Sequence, residues 1–450
     1  MTRLLADVLP ADRIITDAET LNGYRHDRSG WAPDGRPSAV VFPESADEVA
    51  AVLRAAHAAK VPVVPRGAGT GLAGAATAVD GEIVLSTARL NRIVELSAED
   101  EIAVVEPGVI TADLDRAAAE YGLCYAPDPG SVDICTIGGN IATNAGGLRC
   151  AKYGVTRQSV LGLDVVLADG RRIETGARTV KGVTGYDLTG LFVGSEGTLG
   201  VVVGATLRLL PRPTSTATVS AFFDDIETAA GAVARIREHR VRPAIAELLD
   251  AATLAAVDAA QGTEFCTRGG ALLLVQTDGA GAVAEADIVR RAIEPLSGAI
   301  AITSDSEEAA ELLRARRLAL PSLERLGRVL IEDIAVPRSR LAEAVRAVTA
   351  IAEQHGVRVA TLAHAADGNL HPIFVIDEPV GPVPEPVWAA AGEVFRTALK
   401  LGGTLTGEHG VGLLKRQWVA EELGEQSVTL QRQIKQTLDP HGILNPGKAL

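Results

Sequence analysis

The stretch "PRGAGTGLAGAA", Pro65 to Ala76, carries the spacing GxGxxG at Gly69, Gly71 and Gly74, and its reading decides the fold. A dinucleotide-binding α/β unit needs a helix directly after such a run, because the pyrophosphate rests on that helix's N-terminus. Only six residues separate Gly74 from the turn at Gly81, too few for a crossover helix. The doubly wound reading therefore fails on context. Two readings of the run stay open: a tight turn between strands, or a nest of backbone N–H groups that holds an anion without a helix.

Two further glycine-rich stretches favour the nest. "TIGGNIATNAGG" (136–147) combines close-approach glycines with the amides of Asn140 and Asn144, and "VGSEGTLGVV" (193–202) adds Glu196. Both are expected to be loops. Upstream, "SADEVAAVLRAAHAAK" (45–60) predicts a helix, with Ser45 and Glu48 as a capping box and Val49, Val52, Leu53 and Ala56 on one face. It lies between the apolar runs "AVVF" and "VPVVP", giving strand, helix, strand. From Gly81 to Pro211 the pattern is strands with short turns, including a hairpin at Asp169-Gly170. Beyond the prolines at 211 and 213 the chain alternates Ala-rich helices (225–239, 306–326, and one ending near 354) with strands such as "ALLLVQ". The domain boundary is expected there, with 1–212 before it and 213–450 after it.

A chain of 450 residues with 47% hydrophobic content is long enough for two or three cores. Its net charge of -14 argues against nucleic acid or an anionic membrane as the main partner. The four cysteines show no CxxC spacing, no iron–sulfur run and no haem-attachment motif, which fits a reducing, cytoplasmic setting. No apolar run is long enough to span a bilayer, so membrane contact would be peripheral, at the inner face.

Three of the eight histidines fall in "HAADGNLH" (364–371) and "TGEHG" (406–410). Two imidazoles and a carboxylate make a plausible divalent-metal shell. His364 and His371 would face opposite sides of one continuous strand, so they converge only if Asp367-Gly368 turns the chain back. Against this stands the plainer reading, strand-end histidines satisfied by backbone, with Glu408 capping a helix. His355, before Gly356, is expected to meet free carbonyls at a helix end. Arg314, Arg316 and Arg317 share one predicted helix, and each is either a carboxylate clamp or a partner of Glu307, Glu308 and Glu311.

"PRGAGTGLAG", "PDPGSVDICTIGGNIATNAGG", "RCAKYG", "VGSEGTLG" and "LNPGKAL" together resemble, in order and spacing, the FAD-linked oxidases of the vanillyl-alcohol oxidase / p-cresol methylhydroxylase superfamily. Within it the chain looks most like the branch of the glycolate oxidase FAD subunit, D-lactate dehydrogenase and D-2-hydroxyglutarate dehydrogenase. The resemblance implies an α+β fold: a two-part FAD-binding domain of the p-cresol methylhydroxylase type, then an α+β substrate domain with an antiparallel sheet. A C-terminal segment, about 406–450, would return to the flavin. FAD binding is then assigned to Arg66, Gly67, Ala68, Gly69, Thr70, Gly71, Pro129, Ser131, Gly138, Gly139, Asn140, Thr143, Asn144, Gly146, Glu196, Gly200, Val201 and Asn445. No histidine stands in the first two motifs, so the flavin is expected to be noncovalent.

By the same resemblance His364, His371 and Glu408 ligate a divalent metal, zinc in expectation. His409 is the base, Asn369 supports the substrate or flavin edge, and Arg316 binds the substrate carboxylate. Ala366 departs from the glycine common in relatives and demands a negative φ. Relatives specific for the dicarboxylate 2-hydroxyglutarate carry a lysine where this chain has Ile331, so the implied substrate is a small 2-hydroxy monocarboxylate such as glycolate or D-lactate. Electrons would pass to oxygen, a quinone or an electron-transfer protein. The alternatives are a D-2-hydroxyglutarate dehydrogenase activity, a noncatalytic flavin subunit of a larger dehydrogenase, and, from another class, a zinc hydrolase.

Overall fold

The computed structural model describes residues 2–31, 33 and 35–450. The chain divides into two compact units, one formed by 1–146, 154–212 and 408–450, the other by 147–153 and 213–407.

In the first unit, strands Ala39–Val41, Ile83–Ser86 and Val63–Arg66 run parallel, with Ile14–Ile15 added antiparallel at the edge. The connection from the first to the third of these is the Ala46–Ala59 helix. Ser45 Oγ accepts the Glu48 N–H at 3.2 Å, but the expected reciprocal half of the capping box is absent. Glu48 instead takes Arg13 and the Glu44 N–H, each at 2.7 Å, because a nearby guanidinium competes for its carboxylate. Val49, Val52, Leu53 and Ala56 are fully buried, in one core with the four-stranded sheet and with Val166, Val201 and Val203. These last residues belong to a five-stranded antiparallel sheet in the order Ile93–Ser97, Ile102–Val105, Val201–Arg208, Val160–Val166, Arg172–Gly176. The last two strands form the hairpin predicted at Asp169-Gly170.

The second unit is built on one eight-stranded antiparallel sheet. Thr216–Phe223, Ala271–Asp278, Ile245–Asp250, Arg358–His364 and Asn369–Ile376 are successive neighbours in it. The helix predicted over 306–326 is broken into Ser306–Arg317 and Ala319–Glu324. Pro321 gives the reason: its ring has no N–H and clashes with the carbonyl four residues back, at Arg317. Among the described residues no helix is long and apolar enough to cross a membrane.

Candidate functional site

The first glycine run leaves its strand at Arg66 and, as its spacing requires, enters no helix before the next strand. Gly69 and Gly74 have φ of +72° and +84°, which L side chains rarely adopt. The backbone N–H groups of Gly67, Ala68, Gly69, Thr70 and Gly71 donate to no partner among the described residues. A curved run of unengaged donors is what an anionic pyrophosphate requires. The Arg66 guanidinium lies beneath the turn, where Nη1 donates to the carbonyls of His26 (3.0 Å) and Ala76 (3.2 Å). It also stacks over Tyr24 at 5.3 Å. Arg66 thus helps to shape the nest.

The second motif is not the expected loop. Ile137–Thr143 is a helix, with Thr136 as N-cap and Asn144 as a left-handed C-cap at φ 51°. Gly138 serves close approach, which outweighs its poor helix propensity: a Cβ there would lie 2.6 Å from Pro107, and on the facing first motif a Cβ on Gly67 would lie 2.4 Å from Thr136 Oγ1. The two asparagines are engaged within the protein. Asn140 Nδ2 donates to Thr111 Oγ1 at 2.6 Å, and Asn144 Oδ1 accepts the Arg157 N–H at 2.9 Å. Thr143 Oγ1 donates back to Gly139. Pro129 and Ser131 form the turn ahead of this helix, where the Pro129 carbonyl accepts from Val132 and the Ser131 carbonyl from Ile134 and Cys135. Gly146 is buried, and so are Gly200 and Val201, where the five-stranded sheet takes up Val201–Arg208. A Cβ on Gly200 would lie 2.5 Å from Val165.

Glu196, in the third motif, is buried with φ 51°. Its carboxylate accepts the N–H groups of Val411 and Gly412, both at 2.8 Å. Burial pushes this carboxyl up, and the two amides pull it down. Gly412, also at positive φ, passes so close to the first motif that a Cβ there would lie 2.0 Å from the Ala73 carbonyl. The Leu413 N–H donates to that same carbonyl at 2.9 Å. Asn445 closes the arrangement, its Nδ2 donating to Ala75 (2.9 Å) and Glu196 (2.7 Å) carbonyls. The segment Glu408-His409 is thereby anchored to the first and third glycine motifs of its own unit. No helix begins directly after it, so Glu408 is not a helix cap.

In the second unit the Asp367-Gly368 turn does fold the chain back, with Gly368 at φ +89° and Ala366 outside the positive-φ region. The register pairs His364 with Asn369 and Leu362 with His371. His364, Asn369 and His371 therefore share one face of the sheet. The two imidazoles stand edge to face with centroids 5.0 Å apart. On the next strand Glu247 lies directly opposite His364.

Two buried carboxylates hold this face, and sequence reasoning missed both. Glu247 Oε1 accepts from His364 Nδ1 at 2.6 Å, and its Oε2 pairs with Arg316 Nε at 2.6 Å. Asp333 accepts from Asn369 Nδ2 and Thr406 Oγ1, each at 2.6 Å, and lies 3.6 Å from His371 Nδ1. Both stand in apolar runs, "AIAELL" and "VLIEDIAV", where an acid at a buried position is the available signal. Of the three helix arginines only Arg316 is buried. His355 does not meet helix-end carbonyls; its Nε2 lies 2.8 Å from Glu393, a nearby carboxylate being the stronger acceptor.

The donor chemistry fits a divalent ion: His364 donates from Nδ1 to a carboxylate, which leaves Nε2 as the ligating nitrogen. It equally fits FAD, through the unengaged amides of the first motif.

Comparison with known proteins supports the FAD reading. Residues 212–449 match the family "FAD linked oxidases, C-terminal domain" and residues 37–176 match "FAD binding domain". The chain is 43% identical to glycolate oxidase subunit GlcD of Bacillus subtilis, over 92% of this chain and 88% of that one. It is 33% identical to D-lactate dehydrogenase of Anaerostipes hadrus, over 97% and 94%. The fold matches p-cresol methylhydroxylase with substrate bound at a TM-score of 0.83 and 19% identity, covering 100% of this chain and 96% of that one. The chain therefore belongs to the FAD-linked oxidases, in the branch of GlcD and D-lactate dehydrogenase, and is an FAD-dependent oxidoreductase.

Proposed function

We propose that the chain oxidises a small 2-hydroxy monocarboxylate of the glycolate or D-lactate class to the 2-oxo acid. The observation that carries this reading is the shared sheet face of His364, Asn369 and His371, with Arg316 tied to the same buried Glu247. The relatives' names support it. So does Ile331, which puts no cation where a second substrate carboxylate would need one.

When bound, noncovalent FAD supplies a two-electron acceptor for the hydride from C2, and a divalent ion, zinc in our reading, supplies Lewis acidity. His364 and His371 offer ring nitrogens to that ion, and Glu408 is assigned as the third ligand on its motif alone. Arg316 is ion-paired with Glu247 through its Nε side, and its terminal nitrogens take no partner among the described residues. They are suited to grip the substrate carboxylate and so orient the C2–H bond. His409 accepts the hydroxyl proton, as the side chain that titrates nearest neutrality. Asn369 has both amide hydrogens committed, to Asp333 and to the Ile334 carbonyl, so it presents only its oxygen, an acceptor for a hydroxyl. The domain division 1–212 and 213–450 and a cytoplasmic location belong to the same proposal. A zinc hydrolase would leave the free amides of the first glycine motif without use.

The test is His409→Ala in purified yellow protein. The variant should bind FAD like the parent and fail to bleach on anaerobic addition of D-lactate or glycolate. Flavin reduction at the parent's rate would remove His409 from the mechanism.

A further inference from the structure

We propose that Glu247 is a positioning residue that orients two side chains with one carboxylate: the His364 imidazole through Oε1 and the Arg316 guanidinium through Oε2. The inference rests on the function proposed above, in which those two side chains hold the metal and the substrate.

Glu247 is fully buried in the middle of strand Ile245–Asp250, between apolar neighbours. A buried carboxylate there is costly unless charge and hydrogen bonds compensate it. Both compensations are present, His364 Nδ1 at 2.6 Å and Arg316 Nε at 2.6 Å. The partners arrive from different elements. His364 ends the neighbouring strand Arg358–His364, in register with Glu247, whereas Arg316 stands in the last turn of the helix Ser306–Arg317. A purely structural ion pair would need only one of them.

The chemistry of each bond sets what the other side of the partner can do. A carboxylate only accepts, so His364 must carry a proton on Nδ1, which fixes the ring angle and makes Nε2 the nitrogen that can ligate a metal. Arg316 is held by charge, its Nε 2.6 Å from Oε2 in an ion pair that makes no hydrogen bond, and its two terminal nitrogens remain a pair of donors of the kind that receives a carboxylate in bidentate fashion. One buried acid thus couples the orientation of a metal ligand to that of a substrate-binding cation. Glutamine in its place removes the charge that Arg316 pairs with, and only one end of its amide can accept from the Nδ1–H of His364. Arg316 loses its counter-charge, and His364 keeps its acceptor only if the amide oxygen faces it.

The experiment compares the full-length FAD-loaded protein with Glu247→Gln and Glu247→Asp. Zinc affinity is read by chelator competition, and anaerobic flavin bleaching is followed against D-lactate and glycolate concentration. FAD stoichiometry and the unfolding midpoint report folding. The expected result for Glu247→Gln is a roughly 10- to 100-fold loss of zinc affinity, the usual effect of removing a carboxylate behind a ligating histidine. The substrate concentration for half-maximal reduction should rise as well, with FAD stoichiometry unchanged. Glu247→Asp keeps the charge but is one methylene short of spanning both partners. It should lose zinc affinity or raise that half-saturation value, and it decides the matter if the glutamine variant does not fold. Variants with parent-like zinc affinity and half-saturation overturn the inference while the parent's own bleaching leaves the function standing. A parent that neither retains zinc nor bleaches overturns the function instead.

Discussion

Gly407 has no room for a methyl group: a Cβ there would lie 2.3 Å from Asn369 Nδ2, and that amide is pinned by Asp333 and the Ile334 carbonyl. Gly407→Ala must therefore displace Asn369 or the strand end that carries it. We expect flavin reduction by 2-hydroxy acids to fall at least about tenfold, since a catalytic group displaced by about 1 Å can cost 100-fold. FAD content should stay normal, as measured by the 450 nm to 280 nm absorbance ratio. A parent-like reduction rate would show that Asn369 takes no part. At this scale the sequence is only half legible. The motif histidines stand out by pattern and Asn369 through the family resemblance, whereas Glu247 and Asp333 are single acids in apolar strands, and only register reveals what they face.

At the scale of elements, the helix Ala46–Ala59 was readable because apolar periodicity and an N-cap serine act locally. Leu53 is fully buried on its inner face. Leu53→Ala should destabilise the protein by about 2–5 kcal/mol, measured as a shift in the denaturant midpoint. A change within experimental error would contradict the packing. The helix Ile137–Thr143 was not readable, because what overrides its glycines is the close approach of Gly138 to Pro107, a neighbour that only the fold supplies. The same limit applies to Glu196, whose motif reads as cofactor-binding while its carboxylate holds the backbone of Val411 and Gly412. Glu196→Gln turns one accepting oxygen into a donor that faces an N–H. It should loosen the loop that carries His409 and slow flavin reduction more than it weakens FAD binding. The reverse order would mark Glu196 as a cofactor contact.

For the whole molecule, the first unit is completed by residues that arrive last in the chain. Val63 pairs with Leu444 and accepts from the Asn445 N–H at 2.8 Å. Asn445 then bridges the Ala75 and Glu196 carbonyls. A chain ending at Gly407 should lose FAD on gel filtration, because the nest at Gly67 to Gly71 loses the segment that braces its far side. Full retention of FAD by that truncation would show that the nest stands without it. The strands of 81–211 were legible from their short turns and the antiparallel sheet of the second unit only through the family resemblance; the neighbour order of neither was, since strand pairing across more than a hundred residues leaves no local mark.

The most direct measurement is anaerobic titration of the purified holoprotein with glycolate, D-lactate, L-lactate and D-2-hydroxyglutarate while the flavin absorbance is followed. Bleaching by glycolate or D-lactate at lower concentrations than by the dicarboxylate is the predicted result. A flavin that stays oxidised with every one of these acids would contradict the account.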